Sequence, residues 1–325
     1  MWKIVLFLSV IVILVSTAMN YDSDNALLLS MKRMFFDVEE KFYENNYLTL
    51  EWEDNNEFNI YIDETYFLHS LERYKTTESF VIYPLTFSEK IRKPDGILEI
   101  AFIGPETGFM LEPLQKIKSI FSVIDVYTTD VGITDFFKTD QFFADQNDNS
   151  LSKSNVRIFQ TDKIDNIPFQ KRTYDFIYLN FLDPYNFEIA KAYSKEFYMK
   201  IGSVLKPGGM IVVNGTSPFF TKKSAETIFS NLVEVFKWVK PFYITLNAQG
   251  EWAFFIASQT EHKQDSSFVM DRAKTNYLNT SICGTLDIFP KDMILRPFKH
   301  AGSINQQFIS GWKSLVNARA IQMKL

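Results

Sequence analysis

The sequence predicts an α/β protein in which a small antiparallel β unit precedes a larger, doubly wound parallel sheet. From Gly96 onwards, strand-like apolar segments alternate with helical ones, a pattern typical of parallel strands with helices on both faces. Before Gly96, segments of alternating apolar and polar residues are separated by Asp-Asn and Asp-Glu pairs, which are turn signals. The 325 residues suffice for one large domain or two small ones, and 46% hydrophobic residues suit a globular core.

Residues 4–19 are almost wholly apolar, with Lys3 before them and acidic residues after them. The segment is shorter than the roughly 20 residues of a membrane-spanning helix but suits a signal-peptide core cleaved near Ala18. A retained signal anchor fits equally well, because Lys3 favours a cytoplasmic N-terminus. We therefore predict a signal peptide or signal anchor at residues 1–20, so that the protein is either exported or anchored in a membrane. A buried helix is the alternative.

The segments that follow predict a helical connector and then the β unit. Helical spacing of apolar residues predicts an amphipathic helix from about Asn25 to Tyr43, within a connector of residues 21–46. Alternating patterns then predict strands at 47–52, 58–62 and 65–68, and a helix that starts at Thr76. Together these elements make an N-terminal β unit, residues 47–95.

The remaining elements predict the doubly wound sheet, residues 96–260, and a C-terminal extension, residues 261–325. The predicted strands are 97–103, 122–127, 156–160, 175–179, 210–214, 242–246 and 252–257, and the predicted helices include 108–120, 187–205 and 221–239. The last two strands lie close together in the sequence, as in the antiparallel pair that ends a Rossmann-like, methyltransferase-type sheet. A segment rich in Asp, Asn and Ser, residues 145–154, predicts a surface loop.

The composition excludes several kinds of site. Cys283 is the only cysteine, which excludes intramolecular disulfides and cysteine-based zinc sites. The three histidines lie far apart without metal-ligand spacing, and we predict no metal. Because the net charge is −5 and Lys and Arg form no cluster, nucleic acid is not an expected partner.

Two turns at the ends of predicted strands carry candidate binding residues. The glycine turn Gly104–Gly108 lies between a buried strand and a helix, where glycine lets the backbone approach a ligand. A simple tight turn has the same pattern. The Asp-Pro turn Asn180–Pro184 follows the apolar strand 174–179, and an amphipathic helix follows the turn. Open α/β sheets bind their ligands at such carboxyl ends of central strands.

The stretch from Asn180 to Tyr198 resembles the active-site segment of the spermidine synthase (polyamine aminopropyltransferase) family. It is closest to the branch with membrane segments, where an Asp-x-x-Asp-Pro turn precedes a Lys-x-Tyr-Ser-x-Glu-Phe-Tyr helix. Val212–Pro218, Gly250–Phe254 and Phe289–Met293 are similar to further family segments, and the resemblance extends from Tyr47 to Trp312. It implies the Rossmann-like fold and a reaction of polyamine biosynthesis, transfer of an aminopropyl group from decarboxylated S-adenosylmethionine to an amine, without a bound cofactor.

The resemblance also implies a site for the adenosyl donor along the strand ends. The turn Gly104–Gly108 is similar to the family's Gly-Gly-Gly-Asp-Gly loop, with Glu106 in place of the Asp that contacts the donor's amine. Thr128 lies at the position of an acid that binds the ribose, and Asp130 is an alternative. Asp162 matches an acid that binds the adenine amino group, although a residue that only starts the next turn would lie in the same place.

The amine-binding residues that the resemblance implies are partly replaced. The family's first Asp takes the proton of the amine and its second binds the polyamine; here these positions are Asn180 and Asp183. An amide is no base, so a mechanism that relies on this residue loses about 10²–10⁴-fold in rate. Glu78 remains from an amino-terminal polar run, and Glu251 and Trp252 match a Gly-Glu-Trp-Gly-Phe motif, although Trp252 also fits a strand core.

Three functions are consistent with these residues. The first is a divergent aminopropyltransferase acting on a small-molecule amine, with a homodimer as a candidate assembly. The second is a non-catalytic descendant that binds a polyamine, a nucleoside or a protein, which Asn180 and Thr128 favour. The third is an S-adenosylmethionine-dependent N-methyltransferase, since Asp183-Pro184-Tyr185 resembles the Asp-Pro-Pro-Tyr turn of amine methylases. The helix after this turn matches the spermidine synthases better.

Overall fold

A computed structural model describes residues 37–299, apart from residues 44–45, 64, 94–95, 118–120, 162–166, 170–172, 185–186 and 248. The predicted leader, residues 4–19, and the candidate adenine-binding residue Asp162 lie outside these described residues, so both stay predictions. No helix in the described ranges is long and apolar enough to cross a membrane. The described residues divide into two compact units, 37–42 with 47–70 and 71–299 with Tyr43 and Asn46.

The smaller unit is an antiparallel sheet of four strands in the order β1-β2-β3-β4. The strands are β1 (Asp37–Phe42), β2 (Tyr47–Trp52), β3 (Phe58–Ile62) and β4 (Thr65–His69). Leu48 and Leu50 of β2 and Ile60 and Ile62 of β3 are buried, so that alternate residues form an apolar face. This sheet confirms the predicted antiparallel unit. The helix that follows belongs to the larger unit.

One predicted helix is wrong over its described part. A helix was expected from Asn25 to Tyr43, but Asp37–Phe42 is strand β1 and pairs with β2 along its whole length. An amphipathic helix gains little stability unless another surface covers its apolar face. Pairing with β2 gives backbone groups of this segment their hydrogen-bond partners directly. Residues 25–36 lie outside the described part of the chain.

The larger unit contains a sheet of seven strands in the order β10-β11-β9-β8-β5-β6-β7. The strands are β5 (Leu98–Ile103), β6 (Phe121–Thr128), β7 (Val156–Gln160), β8 (Tyr174–Leu179), β9 (Leu205–Asn214), β10 (Trp238–Leu246) and β11 (Gly250–Ser258). Strands β5 to β9 are parallel, and β10 and β11 are antiparallel. The predicted doubly wound sheet and its final antiparallel pair are confirmed.

Helices connect the strands. They are α1 (Arg73–Leu85), α2 (Glu112–Gln115), α3 (Val131–Thr139), α4 (Gln141–Gln146), α5 (Phe187–Lys191), α6 (Lys195–Gly202), α7 (Lys222–Val235), α8 (Ser267–Met270) and α9 (Thr280–Cys283). The predicted helix 187–205 is interrupted at Ser194, whose Oγ accepts a hydrogen bond from the Phe197 N–H at 3.2 Å and caps α6. Of the predicted helix 108–120, the described residues are α-helical only in α2.

The strand order reverses between β5 and β8. The chain runs from β5 through β6 to β7 on one side and returns to the other side of β5 as β8. In a doubly wound sheet the crevice at this switch point, at the carboxyl ends of the strands, is where ligands bind. The glycine turn follows β5 and the Asp-Pro turn follows β8, so both candidate turns lie at this point.

Candidate functional site

The glycine turn and the Asp-Pro turn meet through their backbones. The Asn180 N–H donates to the carbonyl oxygen of Ile103 at 2.9 Å, and the Gly104 N–H donates to that of Tyr127 at 3.1 Å. Gly104 has a φ of +133°, and a Cβ there would lie 2.3 Å from the Asn180 carbonyl oxygen. Only glycine therefore permits this approach of the two strand ends.

The side chain of Glu106 accepts a hydrogen bond from the backbone of the glycine turn in which it lies. Its side chain is 1% exposed, and its Oε1 accepts a hydrogen bond from the Gly108 N–H at 2.8 Å. Burial raises the pKa of Glu106 to about 7, against the opposing effect of the N–H groups of Gly108, Thr107 and Met110. The carboxyl group is thus engaged by its own loop, and the contact with a donor's amine stays a prediction.

Two side chains that the sequence analysis did not single out hold this turn from outside. Asn147 Nδ2 donates to the Thr107 carbonyl oxygen at 3.0 Å, and Ser150 Oγ donates to that of Gly108 at 2.7 Å. A Cβ on Gly108 would lie 2.6 Å from Asn147 Nδ2. Asn147 and Ser150 are fully buried, so the predicted surface loop 145–154 is wrong at these two positions. Asn and Ser mark solvated turns, but they also bind buried backbone groups, and composition does not separate the two.

At the end of β6, the candidate ribose-binding residue Thr128 is bonded to its own loop and helix. Its Oγ1 donates to the Asp130 carbonyl oxygen at 3.0 Å and accepts from Thr134 Oγ1 at 3.0 Å and from the Asp130 N–H at 3.2 Å. The one proton of the Thr134 hydroxyl group is also within reach of the Asp130 carbonyl oxygen, at 3.1 Å, so Thr128 has one acceptor position open whenever Thr134 donates there. Asp130 caps α3 by accepting from the Ile133 N–H at 2.9 Å. A ribose hydroxyl group that donates to Thr128 would compete with Thr134 for this acceptor position.

The Asp-Pro turn is buried and held by a tyrosine. Asn180 is 2% exposed and Asp183 is 5% exposed. The Tyr193 hydroxyl group lies 2.9 Å from the carbonyl oxygen of Leu182 and 3.3 Å from that of Phe181. Burial raises the pKa of Tyr193 well above its usual range, and the charge of Asp183 adds to this effect. Tyr193 therefore remains a neutral donor that fixes the shape of the turn.

Trp252 reaches the site through Asn214, a residue to which the sequence analysis assigned no role. The indole N–H of Trp252 donates to Asn214 Oδ1 at 2.8 Å. Asn214 Nδ2 in turn donates to Asn180 Oδ1 at 3.3 Å and to the Phe181 carbonyl oxygen at 3.1 Å. The ends of β8 and β9 and the start of β11 are thereby joined by one line of hydrogen bonds. Trp252 acts here on Asn214, and its predicted contact with substrate stays a prediction.

The two other candidate amine-binding acids are Glu78 and Glu251, and their contacts with an amine stay predictions. Glu78, in α1, is 4% exposed and accepts the N–H groups of Asn276, Tyr277 and Leu278 at 2.7, 2.9 and 3.0 Å. It fastens this later segment to α1. Glu251 is adjacent to Trp252 in β11, and successive residues of a strand point to opposite faces. Glu251 and Trp252 therefore do not face one site together.

Comparison with known proteins finds one family. Residues 88–268, more than half of the chain, match the family model of the spermine/spermidine synthase domain. The chain is 23% identical over 254 residues to a polyamine aminopropyltransferase of Leptospira interrogans, covering 78% of this chain and 49% of that protein. It is 23% identical over 257 residues to polyamine aminopropyltransferase 2 of Aquifex aeolicus, covering 76% and 50%. The chain thus spans about half the length of the curated relatives it matches.

Solved structures share the fold. A spermidine synthase from Thermotoga maritima is similar with a TM-score of 0.64 and 14% identity, covering 78% of this chain and 84% of that one. A spermidine synthase in complex with the transition-state analogue AdoDATO has a TM-score of 0.64 and 13% identity over the same shares. At such identities the likeness confirms the Rossmann-like fold and leaves the chemistry to the residues of the site.

Proposed function

The chain belongs to the spermine/spermidine synthase family, and on this premise we propose that it transfers an aminopropyl group from decarboxylated S-adenosylmethionine to an amine. The amine nitrogen attacks the propyl carbon next to the sulfonium. A C–N bond forms, the C–S bond breaks with its electron pair going to sulfur, and methylthioadenosine leaves. The amine loses one proton in the process.

The observation that carries this proposal is the meeting of the glycine turn and the Asp-Pro turn at the switch point of the sheet. Gly104 lets backbone approach backbone there, and the buried carboxylate of Asp183 follows in the same turn as Asn180. An adenosyl donor on the glycine turn would have its propyl carbon near the Asp-Pro turn, where an amine can attack it. A similar fold that binds a transition-state analogue supports this placement.

The proton of the amine needs an acceptor other than Asn180. An amide has no useful basicity, and the Asn180 oxygen already accepts from Asn214. Asp183 is the carboxylate of the turn, so we assign it the binding of the amine, with the proton passing to Asp183 or to water. Because the family's first Asp is absent, we expect slow turnover.

A second candidate is a non-catalytic protein that binds a nucleoside or an amine. The hydrogen bonds of Thr128 within its own loop and the burial of Glu106 in the glycine turn favour it. Both side chains occupy positions whose counterparts in the family bind the donor. N-methyl transfer has no such observation in its favour, and family membership argues for aminopropyl transfer instead.

Calorimetry and turnover distinguish these functions. The full-length protein is titrated with methylthioadenosine, and its products from decarboxylated S-adenosylmethionine with putrescine or spermidine are followed by mass spectrometry. We expect the wild type to bind the donor and to release methylthioadenosine slowly. Asp183→Asn should lose this release but keep donor binding, and the exposed control Glu188→Gln should keep both. Binding without turnover would support the second candidate, and methylation by S-adenosylmethionine would support the third. The predicted leader and homodimer are tested separately, by cell fractionation and ultracentrifugation.

A further inference from the structure

We propose that Asn180 recognises a hydrogen-bond-accepting oxygen on the acceptor substrate. The acceptor would then be an amine that carries a hydroxyl, carbonyl or carboxylate oxygen, and not a plain diamine. This inference rests on the proposed function in taking the bound amine to be a substrate. The recognition of its oxygen atom by Asn180 can be measured as binding, without turnover. The line of hydrogen bonds from Trp252 through Asn214 to Asn180 carries it.

The direction of this line is set at Trp252. An indole N–H can only donate, so it requires the oxygen of Asn214 on its side, at 2.8 Å. The amide nitrogen of Asn214 must then face Asn180 and the Phe181 carbonyl oxygen. The Phe181 carbonyl oxygen, at 3.1 Å, fits this orientation but does not fix it, because the Tyr193 hydroxyl group lies 3.3 Å away and can donate to it instead. Although oxygen and nitrogen of an amide have similar shapes, the hydrogen-bond network distinguishes them here.

The orientation of Asn214 determines the orientation of the Asn180 amide group. Its Oδ1 accepts from Asn214, so its Nδ2 is turned away from that neighbour. Nδ2 is buried and has no hydrogen-bond partner within the described part of the chain. A buried donor without a partner is unfavourable, because it has given up its hydrogen bonds with water. A flip of the Asn180 side chain would not remove this cost, because it would set two amide donors against each other.

A plain polyamine does not satisfy this donor. An ammonium group only donates, a methylene group does neither, and the lone pair of the reacting amine is directed at the propyl carbon. An oxygen atom accepts from Nδ2 and satisfies it. Asp183, three residues further along the same buried turn, adds a carboxylate that favours a cation. An acid and an amide donor in one buried turn complement an amine that carries an oxygen.

The test compares the binding of three probes to the full-length protein with methylthioadenosine present. Putrescine is the plain diamine, 1,4-diamino-2-butanol adds a hydroxyl group, and ornithine adds a carboxylate. We expect the wild type to bind an oxygen-bearing probe at least tenfold more tightly than putrescine. In Asn180→Asp, which removes the donor and adds an anion, the preference should reverse.

Trp252→Phe tests the positioning by removing only the indole N–H that sets the direction of the line. The side-chain amide groups of Asn214 and Asn180 can then flip, and the preference for an oxygen-bearing probe over putrescine should fall to about twofold or less. Trp238→Phe is the matched control in β10 and should keep the preference. If Trp252→Phe does not fold by circular dichroism, Asn214→Leu removes the same orientation at a partly exposed position.

Three outcomes would overturn the inference: a wild type that does not bind an oxygen-bearing probe more tightly than putrescine, one that binds none of the probes, or a preference that survives the loss of the Trp252–Asn214 hydrogen bond. Absence of turnover with the preference intact would contradict the proposed reaction alone, because the measurement is of binding.

Discussion

Gly104 and Asn180 touch backbone to backbone, with no room for a Cβ between them. The Asn180 carbonyl oxygen would lie 2.3 Å from a Cβ on Gly104, whose φ is +133°. This single approach joins the turn after β5 to the turn after β8, and so joins the candidate donor loop to the candidate transfer turn. Its consequences for stability and for ligand binding can be measured together.

Gly104→Ala should lower the free energy of unfolding by roughly 3 kcal/mol or more, because backbone strain and a collision with Asn180 add. Binding of methylthioadenosine should be lost as the two turns separate. The matched control is Gly208→Ala, where φ is +75° but nothing lies within 4 Å of the new Cβ. It should lose only about 1–2 kcal/mol. Chemical denaturation and calorimetry give both values, and equal losses for the two variants would contradict the contact.

Glu106 should make stability depend on pH. Its pKa is raised in the fold from 4.5 to about 7 by burial. Below pH 4.5 both folded and unfolded chains hold the proton. Between pH 4.5 and 7 the folded chain keeps a proton that the unfolded chain has lost, so the free energy of unfolding falls as pH rises. The fall is on the order of 3 kcal/mol.

Glu106→Gln resembles the protonated side chain and should remove this dependence. In urea denaturation at a series of pH values from 4 to 8, the free energy of unfolding of the variant should increase relative to that of the wild type as pH rises. Glu188→Gln, at an exposed position, should follow the wild type throughout. A difference between wild type and Glu106→Gln that is constant over this range would mean that Glu106 ionises normally in the fold.

Glu78 should act as an anchor and not as a binding residue for amines. Gln in its place has one acceptor oxygen, and its amide nitrogen would face backbone N–H groups. We expect Glu78→Gln to lower the free energy of unfolding by about 3 kcal/mol and to abolish the hydrogen-exchange protection of Asn276, Tyr277 and Leu278. Amine affinity of the folded variant should stay unchanged. A fall in amine affinity with protection intact would return Glu78 to the substrate site.

The sequence was sufficient for the sheet because its signals are local. Apolar runs bounded by turn residues predict β5 to β11 without knowledge of their neighbours. Strand β1 could not be found in this way, because its conformation comes from pairing with β2. The break at Ser194 is a local signal that was available, since serine is a preferred helix cap.

The two candidate turns were predicted in their location at the ends of strands, and the roles of their side chains stay predictions. The apolar strand before the turn indicated where Asn180 and Asp183 lie, and the resemblance to the family implied their roles. Asn147 and Asn214 were missed because their partners lie far away in the sequence, at Thr107 and Asn180. An Asn in a turn or at a strand end gives no sign of the carbonyl or amide group that it meets.

The last prediction concerns the rate of transfer. If the protein transfers aminopropyl groups by the family mechanism, Asn180→Asp should increase kcat with putrescine by 10-fold or more, because a carboxylate at this position can accept the amine's proton. The gain should be in kcat more than in KM, since the proton is removed on the way to the transition state. Two adjacent acids raise each other's pKa, which brings one of them closer to the pH of the reaction.

Three proteins are compared in this experiment: wild type, Asn180→Asp and Asp183→Ala. Release of methylthioadenosine from decarboxylated S-adenosylmethionine is followed with putrescine and with spermidine. Asp183→Ala should lose activity with both amines, because the turn then has no carboxylate to hold a cationic amine. A fast wild type that Asn180→Asp slows would show that another group is the base. If none of the three turns over and none binds the donor, the protein is a non-catalytic member of its family.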